Sequence, residues 1–573
     1  MNRLHKTTLV RLENSQKMQA VLAHMPYSQK VEAVLKPMQN NHNGHFSGIS
    51  MKRIVNNTVI SLTGQAVTWG STLLLTIAYG RFLGDFKFGE LYFAITFVLL
   101  VGFPIEFGFN QQLTRDVAQE PDKALRYLSN TLVIKVALWL VLYSAILLIC
   151  KLLGYSPEQR FLVAICGIML LTASIANAFG SLHYAFERVV FPVFGTMLEK
   201  GLSALVGFLL LRNGASVETI AFVLLGGSFI NACWQGFWFF RLVGFSFTIE
   251  GGLIRDLIRT SIPFLTYGVL GVIYYRLDTI ILSLVADATV VGWYGAAYRL
   301  FDTLIFLPSL VISAIMYPVF SKLSMTSEAS LKTAIEKTTN FLLFCAIPIT
   351  SILIIAAPNI IGFLYHNADF LPSIPALQAL APGLTFLYVN SVFSAIIMST
   401  KQERKITIMA GIALLFNLGL NLILIPLYRH VGAAIVTSLT EFLLLCIGLA
   451  FVPGRLRPFG SLRVAGKSLL AALIMVGAVF LFQHITFNVF VLLLVGALVY
   501  AGVAMLLGAI PREDMRALFG SVRQKAHRGV AEAPVDQPDQ HPPVVEQEPV
   551  PVVADVEQSE AYDLDLTGSG RMP

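Results

Sequence analysis

The chain has 573 residues, of which 55% are hydrophobic and only 13% charged, and its mean hydropathy is +0.70. This composition excludes a soluble globular domain and makes the chain a polytopic, all-α membrane protein. The net charge of +7 is no nucleic-acid signal, because Lys and Arg gather in alternate loops rather than on one basic face, and the partner they imply is the lipid bilayer.

Residues 1–50 carry six Lys or Arg and no apolar run long enough for a signal-peptide core. The segment 1–53 therefore reads as a disordered cytoplasmic extension. Met51 directly precedes Lys52-Arg53 and the first apolar run, so translation starting at Met51 is an equally open reading.

From Val59 onward, apolar runs recur at about 59–80, 89–112, 132–153, 161–182, 193–211, 217–240, 262–285, 291–320, 338–361, 373–399, 406–426, 432–452, 466–483 and 488–508. That spacing predicts about fourteen transmembrane helices. Several are edged or interrupted by Pro104, Pro192, Pro263, Pro308, Pro318, Pro348 and Pro358, which membrane helices tolerate where neighbours satisfy the freed backbone groups. With the N-terminus inside, 31 of the 41 Lys and Arg fall on the inner side, 6 on the outer side and 4 within helices. Both termini are thus expected in the cytoplasm, with the chain multi-pass in the cell membrane. The tail 512–573 turns basic and then rich in Pro, Val, Glu, Gln and Asp; it cannot bury a core and is expected to be disordered.

The stretch 262–320 is the most informative. It places Arg276, Asp278, Arg299 and Asp302 inside two apolar runs, where charges facing lipid would cost several kcal/mol and so must face protein or a wet cavity. Counting about 1.5 Å per residue from opposite faces puts Arg276 about 21 Å and Arg299 about 18 Å along one scale, a common level. Cross-pairing of Arg276 with Asp302 and of Arg299 with Asp278 is geometrically open. Two readings stand side by side: buried ion pairs locking two helices, or a cationic wall of a substrate cavity tuned by the Asp residues.

Weaker candidates are Glu106, the adjacent Glu199 and Lys200, and Glu441. Lys135 reads as a snorkelling residue near a helix end, and Asn177, Asn231, Asn390, Asn417 and Asn421 as interhelical hydrogen-bond partners. The five Cys, at 150, 166, 233, 345 and 446, fall in separate apolar runs with no CxxC spacing. They imply no metal site, cofactor or disulfide.

A faint internal repeat is present. LGDFKFGELYFA at 83–94 resembles LVADATVVGWYGAA at 284–297, each with an Asp, a Gly four or five residues on, and then Tyr. The offset equals six helices, which predicts parallel lobes at 54–240 and 255–452, with a binding site between them and an appended pair at 464–508.

NNTVISLTGQAVTW at 56–69, YGRFLGDFKFGELYFAITFV at 79–98 and IEFGFNQQLTRDVAQ at 105–119 resemble the opening of polysaccharide-biosynthesis flippases in the multidrug/oligosaccharidyl-lipid/polysaccharide exporter superfamily. Arg81, Leu83, Gly84, Phe88 and Gly89 match that family's first motif. Glu106, Gly108, Arg115 and Asp116 match its second, with Glu where Asp is commoner. YYRLDTIILS at 274–283 and GWYGAAYRL at 292–300 look like its helices 7 and 8. The resemblance implies two six-helix lobes around a central cavity. It also implies export of polyprenyl-diphosphate-linked oligosaccharide by alternating access, without covalent chemistry, alongside polysaccharide polymerase or export machinery. Arg276 and Arg299 fit a diphosphate because the guanidinium fork matches phosphate oxygens, and Tyr275 and Tyr298 offer faces to sugars. A cation-coupled small-molecule exporter is the alternative, although the first span holds no carboxylate. A membrane polymerase or glycosyltransferase is disfavoured by outer loops of only about 4 to 12 residues.

Overall fold

The computed structural model describes residues 51–106 and 108–509. The expectations for 1–50 and for the tail 512–573 lie outside the described residues. Helix α1 spans Met51–Gly102, α2 Phe109–Gln119, α3 Ala124–Leu152, α4 Pro157–Ala185, α5 Val190–Arg212 and α6 Val217–Val243. Next come α7 at Gly251–Val285, α8 at Ala288–Leu304, a short α9 at Phe306–Ser309, and α10 at Tyr317–Thr326 after a π-helical stretch over Leu310–Met316. The remainder is α11 Glu328–Ile355, α12 Ala357–Tyr365, α13 Ser373–Ser399, α14 Glu403–Phe451, α15 Ser461–Gln483 and α16 Val489–Leu506. Every regular element among the described residues is helical.

Eleven helical stretches among the described residues are long and apolar enough to cross a membrane. Their outward faces carry large apolar side chains such as Leu140, Leu205, Leu473 and Leu498, each more than half exposed. Such surface is stable only against lipid. Two of the stretches are bent. Gly84 breaks α1 with φ 75° and ψ 171°, a conformation open to Gly but not to residues with a Cβ, and Arg429 breaks α14 at φ 49° and ψ −128°.

Proline marks several of the breaks. The predicted run 89–112 ends instead at Gly102, where Pro104 opens a 3-10 turn, and the helix resumes at Phe109 after the left-handed Gly108. This interruption leaves Glu106 outside regular helix, with consequences for the site. Pro308 sits in α9 just before the π-helical stretch, and Pro358 opens α12, splitting the run expected at 338–361. Pro263 and Pro348 stay within α7 and α11.

The two members of the internal repeat pack against each other. A Cβ on Gly89 would lie 1.8 Å from the Ala288 carbonyl oxygen, and one on Gly292 would lie 2.2 Å from the Asp85 carbonyl oxygen. Only glycine allows backbones this close. Trp293 Nε1 crosses the same seam to donate to Asp85 Oδ2 at 3.0 Å, and the Tyr365 hydroxyl donates to the Ala296 carbonyl at 3.0 Å.

Candidate substrate site

Arg276 and Asp302 meet as expected. Arg276 Nη2 donates to Asp302 Oδ2 at 3.2 Å, and the guanidinium carbon lies 5.7 Å from the centroid of the Tyr298 ring. Their side chains remain 25% and 21% exposed, so the pair is partly open rather than sealed.

The other cross-pair does not form. Asp278 is 2% exposed and accepts from the Tyr294 hydroxyl and from Thr279, through its backbone N–H at 2.6 Å and its hydroxyl at 3.3 Å. The reason is local geometry: Asp278 and Arg276 both meet the α8 stripe of Tyr294, Tyr298 and Asp302, spaced four residues apart, and Arg299 lies off that stripe. Arg299 is consequently left without an ion pair among the described residues, and its buried Nε has no hydrogen-bond partner there. It stands within electrostatic reach of Tyr79 and Tyr365.

The aromatic candidates divide. Tyr275 is 39% exposed and accessible, whereas Tyr298 is buried between Tyr294 and Phe301 with Arg276 beside it. A buried ring cannot stack on a sugar, so Tyr298 supports Arg276 instead.

Lys135 does not snorkel. It is fully buried, and Nζ reaches Glu106 Oε2 at 3.0 Å, Ser174 Oγ at 2.8 Å and the Ser174 carbonyl at 3.3 Å. All three ammonium donors are used. Glu106 in turn accepts from Asn110 and from Asn177 Nδ2 at 3.3 Å. Glu199 pairs with Lys200 at 2.6 Å and accepts from Asn231 Nδ2 at 2.8 Å. Glu441 is buried with neutral donors, the Tyr274 hydroxyl at 2.7 Å and Asn390 Nδ2 at 2.8 Å, and has no cationic partner among the described residues.

One motif residue has a role that sequence reasoning missed. Arg81 donates through Nε and Nη2 to the carbonyls of Leu364 and Phe363, at 2.5 and 2.7 Å. It thereby caps the C-terminal end of α12, where carbonyls lack helical partners.

Residues 54–324 match the family model described as "Polysaccharide biosynthesis protein". Over that segment the chain resembles the polysaccharide-biosynthesis protein family. It is 22% identical over 448 residues to the "Probable low-salt glycan biosynthesis flippase Agl15" of Haloferax volcanii, a match covering 75% of this chain and 90% of the relative. It is 30% identical over 134 residues, 23% of this chain and 26% of the relative, to the "Uncharacterized membrane protein MJ1068" of Methanocaldococcus jannaschii. Among solved structures, the lipid II flippase MurJ in an inward closed conformation superposes with a TM-score of 0.66 at 19% identity, covering 80% of this chain and all of that one. An inward-facing multidrug resistance MATE family transporter of the MOP superfamily gives 0.57 at 15% identity, covering 71% of this chain and 99% of that one. These likenesses show the fold.

Proposed function

We propose that the protein is a flippase that carries polyprenyl-diphosphate-linked oligosaccharide across the cytoplasmic membrane by alternating access. The similarity to a glycan biosynthesis flippase over nine-tenths of its length and the fold shared with a lipid II flippase support this class. The observation that carries the reading is the pairing of two unequal cations. Arg276 is held by Asp302 in a partly open site, while Arg299 has a buried Nε without a partner among the described residues. A diphosphate leaving water needs fixed cations with unsatisfied donors, and Arg supplies them in a planar fork.

In this reading the fourteen spans form two six-helix lobes plus an appended pair, both termini are cytoplasmic, and the seam at Gly89 and Gly292 is where the lobes meet. The residues bind and release; no bond is made or broken. Reporter fusions active only outside the cell, placed after Gly84, Asp287 and Asn367, should be active, and those after Gln119, Ser327 and Gln402 inactive. The reverse pattern would remove the topology.

A small-molecule exporter is the second reading, favoured by the fold shared with a multidrug transporter and by Glu441, a buried carboxylate with no cationic partner among the described residues. Mass spectrometry of the purified protein separates the two. The flippase reading expects a co-purifying polyprenyl-diphosphate saccharide, lost in the Arg299→Leu variant. Protein free of such lipid, with transport of organic cations instead, would overturn it.

A further inference from the structure

A second binding feature lies in the N-terminal half, away from the Arg276 layer. α2, α4, α5 and α6 line an open cavity of about 300 Å³, at the lower end of the size range of small-molecule sites. Asn110, Thr114, Asn177, Ser181 and Gln235 line it, and no Asp, Glu, Lys or Arg does among the described residues.

Several hydrogen-bond donors of this lining are already engaged. Glu106 accepts from the amide nitrogens of Asn110 and Asn177. Glu199 accepts from Asn231 Nδ2, and Asn231 Oδ1 accepts from Gln235 Nε2 at 2.7 Å. A carboxylate only accepts, so each relay fixes which end of every amide faces it. The Thr114 hydroxyl donates to the carbonyls of Asn110 and Ser181 at 3.0 and 3.1 Å, and the Ser181 hydroxyl to that of Asn177 at 2.8 Å.

Two acceptors of the lining stand unengaged. Asn110 Oδ1 and Gln235 Oε1 are both buried and have no hydrogen-bond partner among the described residues, and Gln235 is only 4% exposed. Buried oxygens left unpaired are costly, and a ligand rich in O–H and N–H donors would satisfy them.

We propose that this cavity is a saccharide subsite, in which Asn110 Oδ1 and Gln235 Oε1 accept from sugar hydroxyls or an acetamido N–H. The proposal rests on the flippase reading for its biological sense but on separate residues for its chemistry. An organic cation is disfavoured because Glu106 and Glu199 are each neutralised by a lysine, Lys135 and Lys200. Tyr184, 47% exposed in the lining, offers an aromatic face of the kind sugar rings pack against.

The full chain, purified in detergent, is titrated with N-acetyl-D-glucosamine, D-glucose, D-galactose, choline and inorganic pyrophosphate, and binding is read by saturation-transfer NMR. At least one sugar should bind, and choline should not. Gln235→Met keeps the length of the side chain but removes the acceptor, and should weaken sugar binding about tenfold. Gly180→Ala is a second variant that keeps every relay residue, and its Cβ, 2.9 Å from Gln235 Oε1, would displace that acceptor; it should do the same. Pyrophosphate binding should be unchanged in both and lost in Arg299→Leu. Sugar binding that survives both cavity variants, absence of binding by every sugar, or binding of choline in place of sugar would overturn the subsite. Failure of pyrophosphate to bind, with the sugar results as expected, would instead count against the diphosphate role of Arg299 and leave the subsite standing.

Discussion

Two of the cation–carboxylate pairs in the apolar helices are built differently. Lys135 with Glu106 is sealed at its cation: the lysine is fully buried and each of its donors has a partner, while Glu106 keeps 23% of its side-chain exposure. Arg276 with Asp302 is open: both side chains keep a fifth to a quarter of their exposure, and the guanidinium makes one hydrogen bond among the described residues out of five possible donors. A saturated pair has nothing left to offer a ligand, so it acts as a lock between α3, α4 and the Pro104 break. An unsaturated pair keeps donors in reserve, as does Arg299, whose buried Nε has no partner among the described residues. Burial of the cation and its donor count, rather than the mere presence of charge at membrane depth, distinguish the two pairs.

This contrast can be broken. The largest effect is expected at the sealed pair, where Lys135→Met strands Glu106 and should cost about 3–5 kcal/mol. Thermal unfolding in detergent would register it, and pairing it with Glu106→Gln should restore much of the loss. Little destabilisation by the single change would mean that the pair is not sealed.

A smaller loss is expected at the repeat seam. Gly292→Ala drives a Cβ onto a backbone oxygen that cannot rotate away, costing about 1–3 kcal/mol, and should loosen the contact seen between Gly89 and Gly292. A cysteine cross-link placed across the seam, slower to form in the variant than in wild type, would report it.

The smallest stability change is expected at the open pair. Replacing Arg276 and Asp302 together by Leu should move stability by no more than about 1 kcal/mol, while transport of lipid-linked sugar falls to background. If that variant instead unfolds, the pair belongs with the sealed one.

Much of the fold was legible because apolar runs of membrane length are hard to mistake, and the four charges of α7 and α8 stood out against them. Contacts between helices were less legible. Lys135 looked like a snorkelling residue because depth along its own helix says nothing about Glu106, which the Pro104 and Gly108 break carries toward it. The Arg299–Asp278 pairing failed on helix spacing, since Asp278 meets the α8 stripe of Tyr294, Tyr298 and Asp302 and Arg299 lies off it. Asn177 and Asn231 were visible as hydrogen-bonding residues, but the cavity they help to orient depends on which end of each amide is consumed, and only the folded network decides that.

We propose that Arg299 serves the substrate rather than the fold, and because it has no ion pair among the described residues its replacement strands no carboxylate there. Arg299→Leu and Arg299→Lys are reconstituted in vesicles with a fluorescent polyprenyl-diphosphate saccharide, and the fraction reaching the opposite leaflet is followed beside thermal stability. Both should keep wild-type stability, with translocation lost in Arg299→Leu and only partly recovered in Arg299→Lys, because a point charge keeps the sign but not the bidentate geometry. Near-normal translocation by a stable Arg299→Leu protein would contradict it.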